Sequence, residues 1–262
     1  MKKRGFLVKK RAQVTLFIIL AVIILAGIVG IYYLTANPDV NKIGTENPTA
    51  YIKQCIEDSV DKALPLVLAR GGLLNPDSRE DKSVLYDDNL VPFLCYSSKK
   101  ETICEVNTPL LKAKIEEQLK LATEKLVDDC FSSLKRSYAS YDYSESKGEY
   151  KVEILPSSLK VTSSKKISLS SGGQAQTFGP FSYEESSPIF DFVILTNKIL
   201  NEEVSCDCGN EACRANVLEL SKKNLDFEIT LFVGGKDIEI YTIKDILTNQ
   251  QFKFAVRNCP NQ

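Results

Sequence analysis

Four cysteines near the carboxyl end are the sharpest chemical feature of the chain: Cys206, Cys208, Cys213 and Cys259. Four thiolates suit a structural zinc ion. Their C-x-C-x4-C spacing differs from the C-x2-C of common zinc sites, and the fourth cysteine follows 46 residues later. The remaining cysteines are Cys55, Cys95, Cys104 and Cys130, which makes eight. An even number in an oxidising compartment reads as disulfides. Two disulfides tying the carboxy-terminal strand to the 206–213 loop are therefore expected, with structural zinc as the alternative.

The other chemical groupings are weaker. Adjacent acids occur at Asp87-Asp88, Glu116-Glu117, Asp128-Asp129, Glu184-Glu185 and Glu202-Glu203. Neighbours on a helix diverge by ~100° and do not share a site. Two carboxylates from different elements could serve glycoside hydrolysis, but no pair is singled out. Asn75, Asp77, Arg79 and Asp81 match part of a calcium-loop spacing without its glycine or terminal glutamate. Ser97 and Lys100, Ser157 and Lys160, and Ser163 and Lys166 have serine–lysine nucleophile spacing, but the companion S-D-N and K-T-G elements are missing. There is no histidine. That removes Ser-His-Asp and Cys-His systems, HExxH metalloproteases and histidine-ligated metals. No catalytic residue, cofactor or enzymatic activity is expected.

The elements that must position these residues begin with Val14–Leu34, 21 residues without a charge. As a helix it would rise ~31 Å, enough for a hydrocarbon core of ~30 Å. Lys2, Lys3, Arg4, Lys9, Lys10 and Arg11 precede it, and Tyr32 and Tyr33 close it. Basic residues stay cytoplasmic and aromatic rings settle at the interface. A single-pass transmembrane helix is expected, amino terminus inside and the rest extracellular, with the lipid bilayer as one partner. A cleaved secretory signal would have a shorter apolar core and an A-x-A-like site.

Lys10-Arg11-Ala12-Gln13 and the apolar run after it resemble the class III signal peptide of archaeal type IV pilins and archaellins. The resemblance implies cleavage between Ala12 and Gln13 with the apolar helix retained. Phe17 stands where that family carries an acid, and Pro38, Gly44 and Pro48 interrupt the helix that pilin-like subunits continue. The same opening, with the stretches Tyr51–Ile56 and Phe252–Val256, resembles uncharacterised single-pass surface proteins of small-genome archaea. That resemblance implies no particular activity.

The chain has 262 residues and a net charge of −1. Six of its 33 basic residues and none of its 34 acids lie in the first 34 positions, so the remainder carries 27 − 34 = −7. A nucleic-acid binder would be basic, which sets that class aside. Five segments are expected: a basic arm (1–13), the apolar run (14–34), a linker (35–47), a disulfide-tied helical region (48–147) and an α+β sheet region (148–262).

In the helical region Asn47 caps a helix that starts at Pro48 and closes at Gly71-Gly72. Its stripe is Ile52, Ile56, Val60, Ala63 or Leu64, and Val67, with a kink or early end expected at Pro65. Residues 75–107 read as loop-rich, with a hairpin closed by Cys95 and Cys104. A second helix is expected from Thr108 as cap and Pro109 to about Lys135, burying Leu111, Ile115, Leu119, Ala122, Leu126, Cys130 and Leu134. Cys55 and Cys130 lie on or beside the two stripes, which predicts a bridge pinning the helices. Ser137–Ser144 reads as a linker whose Tyr138, Tyr141 and Tyr143 could form a recognition surface.

Strands are expected at 150–155, 159–162, 166–169, 227–233, 238–243 and 252–256, with a further one at 176–183 distorted by Gly179-Pro180, a helix from Ile189 to about Val204 and a short one near 216–220. The expected fold class is an α+β ectodomain, a helical pair with mostly antiparallel sheet, on one amino-terminal transmembrane helix. The expected role is binding, adhesion or assembly with another surface protein or envelope component. A pilin-like filament subunit and a membrane-tethered envelope hydrolase using carboxylates are the alternatives.

Overall fold

Asn47 opens the first element: its side chain accepts from the backbone N–H groups of Thr49 and Ala50 at 3.0 and 3.2 Å. Proline costs nothing at a first helical position, and Pro48 begins α1 (Pro48–Ala69). The early end expected at Pro65 does not occur, and α1 runs past it to Ala69. Gly71 and Gly72 close it with φ of 59° and 86°. A Cβ on Gly72 would stand 2.6 Å from Ile115 Cγ1, so a side chain there would separate the helices. The computed structural model describes residues 47–205, 208, 225–231 and 238–260.

Helix α2 (Leu111–Ser137) starts later than expected. Thr108 provides no cap; residues 109–110 form a turn, and Leu110 at the cap position makes no side-chain capping bond. The buried stripe is Leu111, Ile115, Leu119, Thr123, Val127, Phe131 and Leu134. It departs from the expected stripe after Leu119, leaving Leu126 exposed at 42%. The physical reason is Thr123. Its hydroxyl donates to the carbonyl of Leu119 at 2.7 Å and accepts from Tyr150 at 2.9 Å, so a polar residue is satisfied inside the core. The two helices run antiparallel, since Cys55 meets Cys130 while Gly72 meets Ile115.

Strands β1 (Ser83–Tyr86), β2 (Asn89–Tyr96) and β3 (Glu105–Val106) fill the segment read as loop-rich. Asp87 and Asp88 make the β1–β2 turn at φ of 53° and 59°, a conformation aspartate tolerates. Strands β10 (Leu225–Leu231), β11 (Glu239–Asp245) and β12 (Gln251–Arg257) complete a six-stranded sheet in the order β1-β2-β12-β11-β10, with β3 also on β2. All its pairings are antiparallel except β12 with β2, which is parallel. Helix α3 (Ile189–Ser205) packs on this assembly and buries Phe192 against Phe252.

Between α2 and α3 lie β4 (Asp142–Glu145), β5 (Tyr150–Ile154), β6 (Ser158–Ser163), β7 (Ile167–Ser171), β8 (Gln174–Phe178) and β9 (Phe181–Ser186). They form two three-stranded sheets, β4-β7-β8 and β5-β6-β9. The linker expected at 137–144 thus ends in a strand, and the distortion expected at Gly179-Pro180 within 176–183 separates two strands. In both sheets the segments keep one lateral order: 142–154, 158–171, 174–186. The pair of sheets is one antiparallel meander whose three long strands bend at the same level. At the bend Ser146 N–H donates to Lys166 O, Lys166 N–H to Ser146 Oγ, Ser164 N–H to Glu149 O, and Glu149 N–H to Ser164 Oγ. Backbones are so close there that a Cβ on Gly148 would lie 2.2 Å from Lys165 N.

Residues of both sequence regions share one core. Phe131 of α2 meets Phe181 of β9 edge-on at 5.5 Å, and Glu116 of α2 accepts from Ile154 N–H at 2.7 Å. The fold class expected from the sequence is corrected in one part. The described chain is α+β with three helices and mostly antiparallel sheets, but none of those helices is long and apolar enough to cross a membrane. Helix α1 carries Lys53, Glu57, Asp58, Asp61 and Lys62, and α2 is charged along its outer face. At 17 residues α3 spans only ~25 Å of the ~30 Å needed. The run Val14–Leu34, the Ala12-Gln13 junction and the linker to residue 46 lie outside the described residues.

Candidate functional site

The most concentrated polar constellation inside the described chain is built on Tyr241. Alternation along β11 puts Glu239 and Tyr241 on one face, and β12 supplies Phe254 as the cross-strand partner of Tyr241. The two rings stack 5.0 Å apart at 8°. The last turn of α3 brings Glu203 to the same point. The Tyr241 hydroxyl lies 2.5 Å from Glu203 Oε1 and 2.8 Å from Glu239 Oε2. Asn258, just beyond β12, donates through Nδ2 to the Glu203 carbonyl at 2.7 Å and to Glu203 Oε2 at 3.0 Å. Its Oδ1 accepts from Cys104 N–H at 2.9 Å.

This node sits between two disulfides. Cys95–Cys104 spans 5.4 Å between Cα atoms, and Cys208–Cys259 also spans 5.4 Å. Asn258 precedes one bridge and binds the backbone of the other. The Tyr241 ring is fully buried. Burial, and then the two carboxylates, hold its hydroxyl far above the usual phenol range. It remains a proton donor, which suits a structural hydrogen-bond node and not a tyrosinate nucleophile. Carboxylates from two elements do meet here, as hydrolytic chemistry would require, but they meet on a buried phenol.

A second acidic grouping surrounds Glu185 on β9. Tyr183, two residues earlier on the same face, donates to Glu185 Oε2 at 3.0 Å. Glu185 Oε1 is buried with no hydrogen-bond partner among the described residues. Desolvation raises the Glu185 carboxyl above its usual range, with Asp61 and Glu57 of α1 adding to the rise and the Tyr183 hydrogen bond opposing it. A raised folded-state value means the charged form is penalised by folding. The penalty is present at neutral pH and disappears as pH falls through the folded value to below the unfolded one. Glu185→Gln should therefore raise the melting temperature at pH 7, and the gain should vanish near pH 4. Paired thermal melts of the two proteins across that range test this.

The cysteine expectations resolve as follows. Cys55–Cys130 and Cys95–Cys104 are bridged, the former at 6.4 Å between Cα atoms. Cys208 and Cys259 are bridged to each other, so neither offers a thiolate to zinc. Cys206 and Cys213 lie outside the described residues, as does the short helix expected near 216–220. Among the described residues no group of three or more Cys, Asp or Glu side chains is arranged to hold a metal.

The adjacent acids separate. Asp87 meets Lys253 at 3.2 Å, Glu116 meets Lys112 at 2.7 Å, Glu117 meets Lys114 at 2.8 Å, and Asp128 meets Lys165 at 2.7 Å. Glu184 accepts from Ser158, while Glu185 takes Tyr183. In the partial calcium-loop match, Asp77 is occupied by Arg79 at 2.8 Å. Of the serine–lysine pairs, Ser97 Oγ bonds to the Lys99 backbone and Ser163 is buried. The tyrosines divide too: Tyr138 is buried, Tyr141 is half exposed against its ring edge, and Tyr143 donates to Glu145.

Sequence reading missed Tyr241, Glu239 and Asn258. The available signal was the Glu-x-Tyr spacing on a strand, and an asparagine beside a cysteine. Comparison with protein-family models, curated proteins and solved structures finds no match to this chain.

Proposed function

We propose that this chain is an extracytoplasmic, membrane-attached surface protein whose disulfide-tied α+β domain binds another surface protein or an envelope component. The observation that carries the reading is the set of three disulfides, Cys55–Cys130, Cys95–Cys104 and Cys208–Cys259. They bracket the helical pair and the edge of the large sheet. Such bonds persist in oxidising compartments and are reduced in most cytosols. The basic residues before Val14, the uncharged run to Leu34 and the net charge of −7 after it support attachment to a membrane with the domain outside. Binding is favoured over catalysis because Glu203 and Glu239 converge on a buried tyrosine, while Asp87, Glu116, Glu117 and Asp128 are paired with lysines.

Intact cells producing the full chain should be treated with a membrane-impermeant maleimide, with and without prior reduction. Labelling that appears only after reduction, together with loss of the domain to externally added protease, is the expected result. Labelling without reductant would show free thiols outside and remove the disulfides that carry the proposal, and a domain that external protease cannot reach in intact cells but degrades after lysis would place it inside; either result overturns the proposal.

A further inference from the structure

The β7–β8 hairpin ends in a sheet edge unlike the others. Residues 167–183 form a run of 17 without a charge, in a chain that is 26% charged. Strand β8 is the terminal strand of its sheet, pairing only with β7 among the described residues, and Gln174, Ala175, Gln176 and Thr177 are all exposed. Native edges are usually blunted by charge, proline or brevity. Other edges here follow that rule: β4 carries Asp142 and Glu145, β5 carries Lys151 and Glu153, β9 carries Glu184 and Glu185, and β10 carries Asp226 and Glu228. The remaining uncharged outer edge, β1, has four residues bounded by Lys82 and Asp87. Strand β8 carries no charge along its five residues, and Pro180 lies beyond its end.

We propose that β8 is a self-association edge, pairing antiparallel with β8 of a second copy about a two-fold axis at Gln176. The occupant is a second copy because the strand complements itself. Centring on Gln176 pairs all five residues and keeps each side chain on its own face. Gln176 meets Gln176, Ala175 meets Thr177, and Gln174 meets Phe178, with no charge opposed to a like charge. For a domain region of net charge −7, an uncharged edge is where two copies approach with least repulsion. Pairing would continue the sheet as β4-β7-β8-β8-β7-β4 and satisfy the outward backbone groups of both strands, an isologous arrangement. This inference is independent of where the chain is located.

The test uses the full chain with Gln176 replaced by p-benzoylphenylalanine, a photo-crosslinking residue. Irradiation should give a covalent dimer at twice 29.2 kDa. Two charge variants then read the register. Ala175→Lys with Thr177→Lys sets lysine opposite lysine across the axis and should lower dimer yield at least tenfold. Ala175→Lys with Thr177→Glu sets lysine opposite glutamate and should keep the yield. Both changes are on exposed positions, and circular dichroism checks that each variant folds. No dimer, an adduct with a different protein, equal yields from both variants, or loss in both would each overturn the proposal.

Discussion

Replacing Cys55 and Cys130 together by alanine is expected to destabilise the folded protein by on the order of 4 kcal/mol. The bridge joins residues 75 apart, so its absence returns a large loop-closure entropy to the unfolded chain. In the folded state it joins the early part of α1 to the late part of α2. Gly72 and Ile115 meet at the opposite ends, so the helix pair is fixed at both ends. Both cysteines are half-buried at the rim of the core, so alanine leaves little cavity, and the effect should reside mainly in the unfolded state. Urea unfolding should show a lower midpoint and a steeper slope, because a chain without that cross-link exposes more surface when unfolded. Removing Cys95–Cys104, nine residues apart, should cost less in entropy, about 3 kcal/mol. It would add a cavity cost, because both cysteines are buried. A Cys55/Cys130 variant whose midpoint matched wild type would show that helix packing alone fixes the pair.

That bridge could be anticipated because local rules set both its ends. Asn47-Pro48 marks the start of α1, the four-residue spacing marks its buried face, and the same spacing carries α2 as far as Leu119. The prediction failed where a tertiary hydrogen bond intervened: Tyr150, from a strand, makes Thr123 a better inward residue than Ala122, and the stripe runs through Thr123, Val127 and Phe131 before rejoining the expected one at Leu134. Strand existence was legible from alternation in β5, β6, β7, β10, β11 and β12, but not in β1, β2 or β4, and strand partners were not. Pairing of β2 with β12 joins Phe93 to Ala255, and no local pattern records a contact over that separation. The break within 176–183 was legible, because Gly179-Pro180 marks the distortion and the chain divides there between Phe178 and Phe181. The Tyr241 node drew on a helix end, a strand and a strand exit, each of which looks ordinary in isolation.

Tyr241 is the position where single substitutions should separate packing from hydrogen bonding. Tyr241→Ala should cost about 3–5 kcal/mol, the range for removing a large aromatic side chain from a core. It deletes a fully buried ring stacked on Phe254 at 5.0 Å. Tyr241→Phe keeps that ring and removes only the hydroxyl. The loss should then be about 1–3 kcal/mol, because the Glu203 and Glu239 oxygens lose a shared donor in a dry setting. The two carboxyls would also face each other without the phenol between them. Adding Glu239→Gln to Tyr241→Phe supplies an amide donor and removes one like charge, so the double variant should recover part of that loss. Independent sites would add their costs, whereas this pair should show a coupling of about 0.5–3 kcal/mol. Chemical denaturation of wild type, both single variants and the double variant closes the cycle. Additive costs would mean that Tyr241 and Glu239 do not share a proton donor, and the node would reduce to ring packing around Asn258.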